Sequence, residues 1–353
     1  MREQMSHRER ILAAIRHEPT DRVPMDYWGV GEITQKLMDR FGVKDMLGLS
    51  QALDLDKIMG VGAPSKDPAR NGFWNVPTKR IPLPDGSGWY DEPEEYPLAR
   101  FETIDEIEAG YKWPDPDDFD YSGIKAACER IHEAGYAIDG GYVSLTYFYE
   151  IVRGTEQMLV DFASEPELAE YILQRMQETA GEYAHRILES GGGLIDMTQV
   201  TDDLGTQSGL MMSPAMVDHF LGKYFDENVA AARAYGARVF HHDDGAITQM
   251  IPWIVGKGCE ILNPLQWRLP GWNLTELKRK WGDKLCFHGG IDNQYVLPFG
   301  GVDEVKAEVR ACVDALWLPD HTGYILAPCH NAQAITPVEN IVAMYECCRE
   351  YRA

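Results

Sequence analysis

Arg238-Val239-Phe240-His241-His242-Asp243-Asp244-Gly245 is a short apolar run that ends at once in two imidazoles, two carboxylates and a glycine. It reads as a buried strand with a polar tip, the place where parallel-sheet proteins put their chemistry. Because strand side chains alternate, His242 and Asp244 leave on one face. His241 leaves on the other and is expected to pack behind the strand. Tyr324-Ile325-Leu326-Ala327-Pro328-Cys329-His330-Asn331 repeats the design, with Cys and His at its tip. The two tips are expected to meet.

Working outward, further strand-like runs lie at 22–29, 54–60, 137–144, 194–200, 259–263 and 285–288, and the runs at 238–242 and 323–327 complete eight. Helical patterns separate them, among them 124–134, 165–189 and 213–235. The last has proline in its first turn after Ser213. No glycine-rich dinucleotide fingerprint follows the first run. The alternation therefore predicts an α/β fold, a single (β/α)8 TIM barrel spanning 1–353. An N-terminal helix opens with Ser6-His7-Arg8-Glu9, a capping box. An excursion near 75–95, with Asp85-Gly86 at its turn, is expected to be a β-hairpin.

Hydrophobic residues at 44% suffice for a sizeable core, and no apolar run is long enough to cross a membrane. The 33 basic and 56 acidic residues leave a net charge of -23, which disfavours nucleic acid and other polyanions. Seven cysteines form no regular framework, and the chain opens on polar Met1-Arg2-Glu3-Gln4, so a reduced, cytoplasmic protein is expected. Barrels of this size commonly pair, which makes a homodimer the prior expectation.

In such a barrel the residues after each strand share one pocket. Here they are polar and aromatic: Asp26-Tyr27-Trp28, Tyr142, Asp202-Asp203 with Gln207, His241 to Asp244, Asn263 with Gln266, His288 to Asp292, and Cys329-His330-Asn331. His242, Asp244 and either His330 or Cys329 have the chemistry to hold a metal ion. The bland reading is a set of hydrogen-bonded strand ends. Asp203 and His288 are candidates for proton transfer or orientation, although aspartates in such loops also cap helices. Asp26, Tyr27, Trp28, Tyr142, Gln207 and Gln266 are expected to line a substrate pocket. Cys347-Cys348 reads as packing.

These tips resemble the uroporphyrinogen decarboxylase superfamily over nearly the whole chain. The likeness is strongest in Asp202-Asp203-Leu204-Gly205-Thr206-Gln207, His242-x-Asp244-Gly245, Leu285-x-Phe287-x-Gly289-Gly290-Ile291-Asp292 and Thr336-Pro337-x-Glu339-Asn340. The superfamily holds both a haem-pathway decarboxylase and cobalamin-dependent methyltransferases. Its decarboxylases carry arginines directly after the first strand, where this chain has Met25-Asp26-Tyr27-Trp28-Gly29-Val30. A substrate with eight carboxylates needs such cations. Its methyltransferases hold zinc with His-x-Cys and a late Cys. Here the first pair is matched by His242-x-Asp244, and spacing to Thr336-Pro337 favours His330 over Cys329 for the late ligand. Imidazole and carboxylate in place of thiolate suit a harder metal and an oxygen-bearing substrate.

The resemblance thus implies a zinc-assisted methyltransferase that moves a methyl group from a small substrate, such as a methoxylated aromatic, to a corrinoid carried by a partner protein. Decarboxylation of a porphyrinogen or smaller acid is the alternative. A non-catalytic ligand-binding barrel is the third reading.

Overall fold

The computed structural model describes residues 5–82 and 88–353. Strand β1 is Met59–Gly60; β2, Thr78–Pro82, and β3, Trp89–Pro93, form a separate antiparallel hairpin; then come β4, Ile138–Ser144, β5, Met197–Thr201, β6, Arg238–His242, β7, Ile261–Asn263, β8, Cys286–Ile291, and β9, Tyr324–Pro328. The main sheet runs β1-β4-β5-β6-β7-β8-β9, with every pair parallel. Helices connect most successive strands, and β8 and β9 are buried along their whole length, as expected of strands covered on both faces.

The remaining gap is bridged by an extended segment at 22–26. Asp26 N–H donates to Leu326 O and Leu326 N–H to Pro24 O, both at 2.9 Å. On its other side Met25 O accepts from Asp56 N–H at 2.7 Å. The sequence predicts eight strands, and the first of them is a bridge and not a ladder. Pro24 has no N–H to donate, so regular pairing cannot run through it. The second shrinks to two residues behind Asp54, which ends the preceding helix at a positive φ.

Inside the barrel, residues of equal parity stack in layers. Ala137, Met197, Phe240, Ile261, Cys286 and Ile325 make an apolar floor. Against it packs the helix His7–Ile15 through Ile11, Ala14 and Ile15, so the N-terminal helix plugs the bottom of the barrel. Its start is fixed by the predicted box, with Ser6 and Glu9 bonded reciprocally. Two positions further along β4, β5, β6, β7 and β8 stand Asp139, Gln199, His242, Asn263 and His288. A polar layer thus sits directly on the apolar one.

The long helical run expected at 165–189 is Pro166–Met176 continued through a π turn at Gln177–Gly181 into Glu182–Ser190. The hairpin is present, with Ile81 opposite Tyr90. Its expected Asp85-Gly86 turn lies outside the described residues. No helix among the described residues is long and apolar enough to cross a membrane. All seven cysteines are buried and free, Cys347 and Cys348 in the last helix among them.

Candidate metal centre

Two glycines bring the central loops together. At Gly205 a Cβ would stand 2.2 Å from Asp244 O, and at Gly245 one would stand 2.7 Å from Gly205 C; Gly245 also has φ +99°. A side chain at either position would push the 202–207 loop off the 242–245 loop. Their contact brings Asp203 beside Asp244, whose N–H donates to Asp203 Oδ1 at 3.4 Å.

His242, Asp244 and His330 converge, with one donor atom of each lying within 4.8 Å of the others. Asp244 Oδ2 is 4.0 Å from His242 Nε2 and 3.8 Å from His330 Nε2. A tetrahedral zinc with bonds near 2.05 Å sets its ligand atoms about 3.4 Å apart, so a small inward movement would close the three on one ion. Three further observations fit a cation. Asp244 Oδ1 is buried without a hydrogen-bond partner. His242 Nδ1 is hydrogen-bonded to Asn263 Oδ1, which leaves Nε2 for the ion. Asp203 Oδ1 lies 4.0 Å from His242 Nε2 and adds negative charge. Burial pushes the Asp244 carboxyl above its ordinary range despite the nearby imidazoles, and it pulls the His330 imidazole down.

Cys329 stands apart from this group. Its Sγ is buried and donates to Leu265 O at 3.2 Å, while His330 turns into the chamber. His241 packs behind the strand as its parity requires. It is fully buried, its Nδ1 2.9 Å from Val200 O and its Nε2 3.6 Å from Asp243 Oδ2. Burial alone would lower its pKa, but Asp243 and Cys259 raise it to about 10. Asp202 is buried too and accepts from Thr146 N–H and Oγ1–H, both at 2.6 Å.

Two chambers flank the group. One, of about 420 Å³, is lined by Asp244 and His330 with Gln266, Asn293, Gln294 and Phe299, and by Tyr90 of the hairpin, whose hydroxyl donates to Gln333 at 3.1 Å. The other, of about 300 Å³, is lined by Asp26, Trp28, Lys57, Asp139, Gln199 and Phe240. Trp28, which lines the second chamber, also packs against the metal group. Its ring lies 5.5 Å from that of His242, nearly parallel, and 6.4 Å from that of His330, nearly perpendicular.

The other expected site residues divide. Gln266 lines the metal-side chamber, with its Oε1 accepting from Gly245 N–H at 2.5 Å, and Gln207 is exposed at an adjoining recess of about 250 Å³. Tyr142 is 48% exposed at the mouth, packed on Phe148. Tyr27 is buried and bonds Thr34 through its hydroxyl. His288 and Asp26 are fully buried and face each other, His288 Nε2 to Asp26 Oδ2 at 2.9 Å.

The sequence placed Asn263 among the strand-tip residues of the pocket without a specific role, and it gave Lys57 none. Asn263 follows the apolar pair Ile261-Leu262, the signal that put it at a strand tip. Lys57 is paired with Asp26 Oδ1 at 3.1 Å. With His288 it holds the Asp26 carboxyl well below the ordinary range although burial alone would raise it.

A sequence profile described as Uroporphyrinogen decarboxylase (URO-D) matches residues 99–351. A curated uroporphyrinogen decarboxylase from Bordetella petrii is 25% identical over 170 residues, which are 48% of this chain and only 42% of that protein. A solved structure described as a methyltransferase from Methanosarcina mazei superposes with a TM-score of 0.68 at 18% identity, covering 98% of this chain and 99% of that one. At that identity the likeness is one of fold.

Proposed function

The chain belongs to the uroporphyrinogen decarboxylase family, and on that premise we propose that it is a metal-assisted methyltransferase, which passes a methyl group from a small methylated substrate to the corrinoid of a partner protein. The observation that carries the reading is the convergence of His242, Asp244 and His330, one donor atom each, beside a chamber large enough for a substituted aromatic ring. Zinc held there would act as a Lewis acid toward the oxygen from which the methyl departs.

The protein's own residues bind and orient. Tyr90 and Phe299, which line the chamber beside Asp244 and His330, offer aromatic surface to a methoxylated ring, and Trp28 backs the metal group from its other side. Gln266 and Gln207 supply hydrogen bonds without charge, and Asp203 holds a proton position beside the metal group. In such a transfer the carbon–oxygen bond would break with its electron pair left on oxygen, and a reduced corrinoid brought by the partner would supply the electron pair that the carbon takes.

A porphyrinogen decarboxylase would need cations free to meet carboxylates. Among the described residues the Lys and Arg side chains lining the two chambers and the adjoining recess are Lys57 and Arg268. Lys57 is paired with Asp26, and Arg268 with Asp292 and Glu308.

The test is metal analysis of the purified protein together with methyl transfer from methoxybenzenes to free cob(I)alamin. About one zinc per chain is expected, and both zinc and transfer should be lost in His242→Ala. A protein without stoichiometric zinc, or one whose transfer survives that substitution, would overturn the mechanism.

A further inference from the structure

Behind His242 runs a chain of buried hydrogen bonds whose direction can be read from its far end. Asp26 accepts three hydrogen bonds, from Ile58 N–H at 3.1 Å on Oδ1 and from Trp28 Nε1–H at 3.0 Å and His288 Nε2 at 2.9 Å on Oδ2, and its Oδ1 is also ion-paired with Lys57 Nζ at 3.1 Å. A carboxylate so surrounded has only acceptors to offer, so the proton between it and His288 belongs to Nε2. In the neutral ring Nδ1 is then an acceptor, and Asn263 Nδ2 lies 2.8 Å from it. The amide is held this way round by a second contact, Nδ2 to the carbonyl oxygen of His288 at 3.3 Å, where an amide oxygen would be repelled. Asn263 therefore turns its Oδ1 toward His242 Nδ1.

We infer that Asn263 is a positioning residue which, backed by His288 and Asp26, fixes His242 in the Nδ1–H tautomer with its Nε2 lone pair facing Asp244 and His330. The inference rests on the metal reading only for its consequence, a raised affinity for the ion. Metal-binding histidines depend on such partners, and losing one costs roughly 10- to 100-fold in affinity. Asp26 has a second part in this, since its bond to Trp28 also sets the ring that walls the group. His288, Asn263 and Asp26 are each 0% exposed, so no solvent competes for these bonds.

The experiment reads the tautomer and the affinity separately. Nitrogen-15 NMR of histidine-labelled, metal-free protein should show His242 protonated on Nδ1 in the wild type and as a tautomer mixture in Asn263→Leu. Chelator competition should show zinc affinity reduced by roughly 10- to 100-fold in Asn263→Leu and His288→Phe. In His288→Gln, which keeps an acceptor and a donor, affinity should recover most of that loss. Wild-type His242 protonated on Nε2, or an Asn263→Leu protein with unchanged tautomer and unchanged zinc affinity, would overturn the inference. Should Asn263→Leu fail to fold, the wild-type spectrum and the His288 pair decide it. A wild type that takes up no zinc while His242 stays locked would uphold the relay and remove only the metal reading.

Discussion

His241 and His242 are neighbours with opposite fates, and the period of two explains both. His241 pairs with Asp243 behind the sheet, and His242 faces Asp244 in front of it. The first pair is sealed from solvent, and Asp243 Oδ1 also accepts from Leu204 N–H at 2.8 Å, anchoring the loop that carries Asp203. Replacing Asp244 by Asn removes the charge that a divalent ion would neutralise. Zinc affinity should fall beyond the roughly 10- to 100-fold expected for a supporting partner, and chelator competition would measure it.

Asp139, which is not among those ligands, offers a second test. Burial raises its carboxyl to about 6, from 3.8, despite bonds from Gln199 and Gly141. A carboxyl raised on folding contributes stability that is complete below its unfolded value and fades as pH rises through about 6. Relative to wild type, Asp139→Asn should therefore gain roughly 1 to 3 kcal/mol between pH 4 and pH 7. Urea unfolding at the two pH values would show it, and equal differences at both would exclude it.

Among the elements, the weakest backbone pairing lies at the 22–26 segment, and a buried side chain compensates for it. Asp56 accepts from Arg10 at 2.5 Å, from Arg22 at 2.7 and 3.0 Å, from Met25 N–H at 2.9 Å, and meets His7 at 2.9 Å. One carboxylate thus ties the plugging helix, the bridging segment and the approach to β1. Burial alone would raise its pKa, yet the two guanidiniums hold it down. Asp56→Ala would leave Arg10 and Arg22 buried without their shared anion. We expect a loss of about 3 to 5 kcal/mol in urea unfolding. A loss under about 1 kcal/mol would mean that the strands close the barrel without this help.

For the molecule as a whole the governing quantity is the net charge of -23. Self-repulsion of that size weakens the compact state and is screened within a Debye length of roughly 8 Å at physiological salt. The melting temperature should rise as sodium chloride is raised from low to moderate concentration. The same field disfavours polyanions, so uroporphyrin titrated at low ionic strength should give no saturable binding. Saturable binding that salt abolishes would revive the decarboxylase reading.

Alternating strands and helices, the capped first helix, the hairpin and the polar strand tips are all local patterns, and they were legible in the chain. Local periodicity also separated His241 from His242 and put Asp244 with the latter. Which strand-end groups touch depends on strand register and on loop approach across the barrel, and neither has a local signal. Register placed Asn263 between His242 and His288 and turned Cys329 toward Leu265. Closure of the sheet brought Asp26, read as a pocket residue, to the end of a buried relay 262 positions from its histidine. Sequence alone determined the barrel and the residue types at its mouth, because periodicity and propensity act over a few residues. Only the tertiary structure decided which of them meet, because those distances are set by strands that pair across the whole length of the chain.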